Sequence, residues 1–176
     1  MGLQLIFVVE CDKKSESDWI YIKETIRYFY EKIGPQIKLN HVYMEGKGKY
    51  KDGKIERKIN KYISEYKATN KSNISKVIYC FDCDDYDIDS SEEKFLENAF
   101  RYCKERDYDF IWFCKDVERV YIGKKVSKSE KTKTAIMFIR NNLIEKVNEN
   151  QLNAFSYQNG KSNIFNILNQ YLKRKE

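Results

Sequence analysis

Three short, almost unbroken apolar runs constrain this chain more than any other feature: Leu3–Val9 (LQLIFVV), Val77–Phe81 (VIYCF) and Phe110–Cys114 (FIWFC). Strands that are apolar at successive positions are buried on both faces, as in a parallel sheet covered by helices. Stretches with helical spacing separate them. Ser15–Ile33 carries Trp19, Ile20, Ile22, Ile26, Phe29, Tyr30 and Ile33 on that period and is closed by Gly34-Pro35. Ile37–Tyr43 alternates like a further strand, and Lys54–Tyr66 repeats Ile55, Ile59, Tyr62, Ile63 and Tyr66. A helix is predicted from Ser90 or Ser91 to Arg106, with Glu92 and Glu93 in the first turn, where they complement the helix dipole. After a Lys-rich loop over 123–133 the chain is predicted to be mostly helical, over Ala135–Val147 and Asn163–Leu172.

Strands alternating with helices predict an α/β fold: a Rossmann-like, mainly parallel four-stranded sheet with flanking helices and a helical C-terminal part. At 176 residues the chain fits a single domain over 1–176. Hydrophobic residues at 41% and aromatics at 15% supply a core, and 7 Gly with 1 Pro argue against a loop-rich chain. No stretch approaches the roughly 20 apolar residues of a membrane span, and Met1–Ile6 lacks a basic leader. The 5 cysteines are an odd number and read as free thiols of a reducing, cytoplasmic setting. Cys80 and Cys83 form a CxxC with no second ligand pair, so buried packing is expected of them. The one histidine, His41, has no ligand partner in view and reads as structural.

Charge is segregated. Residues 38–76 hold 11 Lys/Arg against 4 Asp/Glu, residues 82–109 hold 4 against 11, and residues 115–133 hold 7 against 3. An acidic segment between basic ones suits carboxylates that hold a cation beside walls that hold a polyanion. It suits equally a set of solvated helix faces.

Ligands of open α/β sheets sit outside the carboxyl ends of the strands, and acids collect at those ends. Glu10 follows the first strand, Asp82 and Asp84 the third, and Asp116 and Glu118 the fourth. If the chain stays extended over 81–84, Asp82 and Asp84 point to one side. Carboxylates gathered so closely call for a cation, and an oxygen donor set suits Mg²⁺ or Mn²⁺. Such an ion supports phosphodiester hydrolysis. Asp-rich turns after strands also arise from turn chemistry alone, which is the stronger account of Asp85, Asp87 and Asp89 taken singly.

The order strand-Glu, helix, strand, helix, strand-Asp-x-Asp is similar to the Toprim domain of topoisomerases, primases and overcoming-lysogenization-defect (OLD) nucleases. The local words resemble the RloB-like branch of small Toprim-related proteins from bacterial restriction and phage-defence loci. Val9-Glu10-Cys11-Asp12 through Glu16, Asp18 and Tyr21 resembles that branch's opening, and Phe81-Asp82-Cys83-Asp84-Asp85 its Asp-x-Asp motif. Phe113–Tyr121 and Gly160-Lys161-Ser162-Asn163 resemble two later segments. Cys11 stands where the branch has Gly, and Asp116-Val117-Glu118 replaces an Asn-Pro-containing stretch. The resemblance implies a Mg²⁺-dependent nuclease acting on RNA or DNA. Glu10 would be general acid/base or ligand, Asp82 and Asp84 ligands, and Glu118 a further candidate ligand. It leaves open a homodimer or a larger ATPase partner.

Nucleic-acid contacts are expected of Lys14 past the Glu10 turn, of Lys47 and Lys49 in the Gly46-Lys47-Gly48 loop, and of Lys124 and Lys125. Each reads also as a solvated lysine. The glycine loop is no P-loop, because G-x-x-x-x-G-K-[ST] is missing. Two other functions remain: a catalytically silent Toprim-like module that binds nucleic acid or a protein partner, and a receiver-like phosphotransfer domain, whose paired acids after strand one Glu10-Cys11-Asp12 match poorly.

Overall fold

The computed structural model describes residues 1–176. Four strands, β1 (Leu3–Val9), β2 (Ile37–Tyr43), β3 (Ile74–Asp82) and β4 (Asp109–Phe113), form one sheet in the order β2-β1-β3-β4, with every pairing parallel. The helices are α1 (Ser17–Phe29), α2 (Gly53–Thr69), α3 (Ser90–Glu105), α4 (Val117–Ile122), α5 (Lys131–Arg140), α6 (Glu149–Leu152) and α7 (Ile164–Leu168). This is the α/β architecture that the apolar runs predict.

The sheet separates two cores. On one face Leu5, Phe7, Val9, Ile78 and Ile111 pack with side chains of α1, α4, α5 and α7, including Ile22, Val120, Phe138 and Phe165. On the other, Ile6, Val8, Tyr79, Phe81 and Trp112 pack with Ile55 and Ile59 of α2 and Leu96 and Ala99 of α3. Successive strand residues feed opposite faces, so both must be apolar. The chain steps from β1 outward to β2 and then returns past β1 to β3. The sheet's switch point therefore lies between β1 and β3, where their connections leave in opposite directions and open a crevice at the carboxyl ends.

Several boundaries differ from expectation. β3 begins at Ile74 because Ile74–Lys76 pair with Leu3–Leu5, although Ser75 and Lys76 are polar. α1 stops at Phe29: Tyr30 is extended and forms a bridge with Arg174, with Glu31 N donating to Lys173 O at 2.9 Å and Lys175 N to Phe29 O at 3.0 Å. The Arg174 guanidinium also lies over the Phe165 ring at 4.0 Å. The C-terminal residues thus clasp the end of α1. The helix expected over 135–147 starts earlier, at Lys131, and ends at Arg140, since Asn142 adopts a left-handed φ of 49°. Asn163–Leu172 is helical only over Ile164–Leu168. The short α4 lay unrecognised inside the segment after β4. The Asp116 side chain caps it by accepting from Arg119 N at 2.8 Å, and Gly123 ends it at φ 74°.

β4 is an edge strand, and residues 161–163 cover it. Cys114 N donates to Lys161 O at 2.9 Å, and Phe113 forms an antiparallel bridge with Ser162. The Asn163 carboxamide then mimics a further strand, accepting from Trp112 N at 2.9 Å and donating to Phe110 O at 2.9 Å. Asn163→Ala leaves both backbone groups without these partners. It is expected to cost about 1–3 kcal/mol in urea unfolding at unchanged m-value.

Candidate active site

Glu10 is the first residue past β1, and Asp82 is the last of β3. They meet at the switch point: Glu10 Oε1 accepts from Asp82 N at 2.9 Å. Asp82 Oδ1 accepts from Val117 N at 3.0 Å at the start of α4, so the carboxylate sits on a helix N-terminus. Glu118, the next residue of α4, is fully buried, and neither carboxylate oxygen has a hydrogen bond. Asp18, on the first turn of α1, is also buried. Its Oδ2 accepts from Cys11 N at 2.8 Å and its Oδ1 from Ser17 Oγ at 3.2 Å.

One cation enters this group. Lys131 Nζ, from the first residue of α5, lies 3.1 Å from Glu118 Oε2 and 4.0 Å from Asp82 Oδ2. One ammonium cannot neutralise Glu10, Asp18, Asp82 and Glu118 together. Burial, reinforced by the Asp18 charge, pushes the Glu10 carboxyl up to about 8, against the opposing pull of the Asp82 amide. Burial also raises Asp82, with Glu10 and Asp18 adding to it. Asp18 and Glu118 are raised by burial although Lys131 draws them down. For Lys131 burial acts to lower the pKa, but Asp82, Glu118 and Asp18 outweigh it and raise it. Like charges in a dry site hold protons until a cation arrives.

The structure thus brings together Glu10, Asp82 and Glu118 of the expected residues and adds Asp18 and Lys131. Asp84 departs from expectation. The chain does not stay extended past Asp82: Asp84 has a φ of 47° and is about half exposed, and Lys47 Nζ pairs with both its carboxylate and that of Glu92. Asp84 therefore stands at the rim, near enough to raise Glu10 by its charge. No group of three or more His, Cys, Asp or Glu side chains stands ready to hold a metal ion.

Of the expected nucleic-acid lysines, Lys47 is committed to Asp84 and Glu92, with its ammonium 5.0 Å from the Phe95 ring centre. Lys49 is exposed and lies 3.8 Å from Glu45. Lys14 is exposed, its amide held by Asp12 Oδ1 at 2.9 Å. Lys124 and Lys125 are exposed in the loop that leads to Lys131.

Asp18 and Lys131 carried a signal in the sequence. Asp18 shares a helix stripe with Tyr21, Ile22 and Thr25, and Lys131 precedes Ala135 and Phe138 by four and seven residues. A charge on the buried stripe of an amphipathic helix is a residue held inside for a reason. Other residues are packing. Cys80 and Cys83 are buried on opposite faces, in separate cores. His41 stacks on Trp19 at 4.7 Å. Cys11 needs no glycine conformation, since its φ is not positive. No helix is long and apolar enough to cross a membrane. Compared with protein-family models, curated proteins and solved structures, the chain has no match.

The elevated carboxyl of Glu10 makes stability pH-dependent. The folded chain keeps a proton up to about 8 that the unfolded chain, near 4.5, releases. Stability without divalent ions therefore falls as pH rises through that window, by up to about 1.4 kcal/mol per pH unit from this group. Urea titrations across the window are expected to lose this part of the slope in Glu10→Gln.

Proposed function

We propose that this chain is a Toprim-like, Mg²⁺- or Mn²⁺-dependent nuclease that hydrolyses phosphodiester bonds of RNA or DNA. The observation that carries the proposal is the meeting of Glu10, Asp82 and Glu118 at the β1/β3 switch point, with Lys131 the one ammonium between Asp82 and Glu118. Buried carboxylates that outnumber their cations fit a hard divalent cation. Asp82 would hold the ion, with Glu10 and the rim residue Asp84 facing it. Bound there, it would polarise a phosphoryl oxygen and activate water.

The chain's own groups have distinct tasks. The amide of Asp82 fixes Glu10 beside the ion, where it would act as the general acid/base of the hydrolysis. The amide of Val117 aims Asp82. Lys124 and Lys125, exposed in the loop before α5, would supply positive charge for the phosphates of the nucleic acid.

A second reading is a catalytically silent module that binds nucleic acid or a protein partner. It is favoured by the pairing of Lys131 and Lys47 with the acids, which partly neutralises the site without a metal. The two readings separate on supercoiled plasmid, single-stranded DNA and bulk tRNA incubated with Mg²⁺, Mn²⁺ or EDTA. The nuclease is expected to cleave at least one substrate only with metal, and Glu10→Gln and Asp82→Asn to lose roughly 100-fold or more. Asp84→Asn is expected to lose less, because Asp84 stands at the rim. Salt-sensitive binding without cleavage under either metal identifies the silent module.

A further inference from the structure

The acid cluster is asymmetric. Glu10 is acted on by the charges of Asp84 and Lys47, whereas Asp82 and Glu118 flank the end of Lys131 and Asp18 acts on it by charge. Glu118 is fully buried, and the Lys131 ammonium is the one cation that reaches it, at 3.1 Å. The contact is an ion pair and leaves both Glu118 oxygens without a hydrogen bond. Such a position is shaped by charge and not by directed donors, and a compact, hydrated ammonium is the side-chain group nearest to a metal ion in that respect. Lys131 begins α5, and α5 packs on α1, which carries Asp18. The ammonium is thus held in place by the same two helices that wall the inner half of the site.

We propose that Lys131 is a resident cation, standing between Asp82 and Glu118 where a second divalent ion would otherwise bind, so that the site takes one divalent ion. Lys131 already fills the space between Asp82 and Glu118, and the divalent ion is left the rim side, where Asp82 meets Glu10. A second ion entering beside Lys131 would meet an ammonium instead of free carboxylates. Deleting the ammonium opens that second place. This inference rests on the metal reading above and concerns the number of ions, not the reaction.

The test counts Mn²⁺ bound by the full chain, by isothermal titration and by the loss of the free-ion electron paramagnetic resonance signal. The wild type is expected to bind one Mn²⁺, Lys131→Met two, and Lys131→Arg one. Lys131→Met also strands buried carboxylates, so its melting temperature without metal should drop by roughly 10 °C and recover on addition of Mn²⁺. Equal counts in wild type and Lys131→Met, or two ions in the wild type, overturn the inference. So does a melting temperature of Lys131→Met that Mn²⁺ fails to raise. No Mn²⁺ in either protein overturns both this inference and the metal reading. A change from one to two ions in a chain that cleaves no nucleic acid leaves the inference standing and removes the nuclease.

Discussion

The rest of the structure is arranged around the repulsion between carboxylates at the switch point of the sheet. Two unit charges about 4 Å apart interact by roughly 4 kcal/mol in a protein-like environment. Gathering four acids there without compensation would offset much of the marginal stability of a domain this size. The fold answers with directed backbone donors. The amides of Cys11, Asp82 and Val117 point at Asp18, Glu10 and Asp82 respectively. Each donor comes from a place where the chain leaves or enters a regular element, which is where amides are unused by the ladder or helix. The sheet order puts the ends of β1 and β3 side by side, and the site follows from that adjacency.

Sheet and helices were legible because burial on two faces leaves a pattern in the sequence that polar loops cannot imitate. The positions of Glu10 and Asp82 were legible for the same reason: each directly follows an apolar run. The geometry beyond the strands was not. Asp84 was expected beside Asp82, yet a left-handed backbone at Asp84 turns the chain, and nothing in Asp82-Cys83-Asp84 announces it. Lys131 was read as part of the Lys-rich loop over 123–133, among lysines that the structure leaves exposed. Only its phase relative to Ala135 and Phe138 separates it from them. α4 was hidden by its length, since six residues give too few turns for a periodicity to emerge.

The segregated charge now has a more exact reading. The acidic segment 82–109 divides into Asp82, which is drawn inside, and Asp84, Asp85 and Asp87, which remain at the surface and pair with Lys47 and Lys115. Part of the net charge there is cancelled locally. The basic segment 115–133 keeps Lys124 and Lys125 exposed while Lys131 turns inward. A charge count along the chain therefore overstates the field at the first segment and describes it better at the second.

The clasp between residues 173–175 and the end of α1 ties together parts of the chain more than 140 residues apart. α1 carries Asp18, so one wall of the acid cluster is anchored through contacts of very high sequence separation. Closing so long a loop costs entropy that the local helix does not, and the clasp and the core under α1 repay it only together.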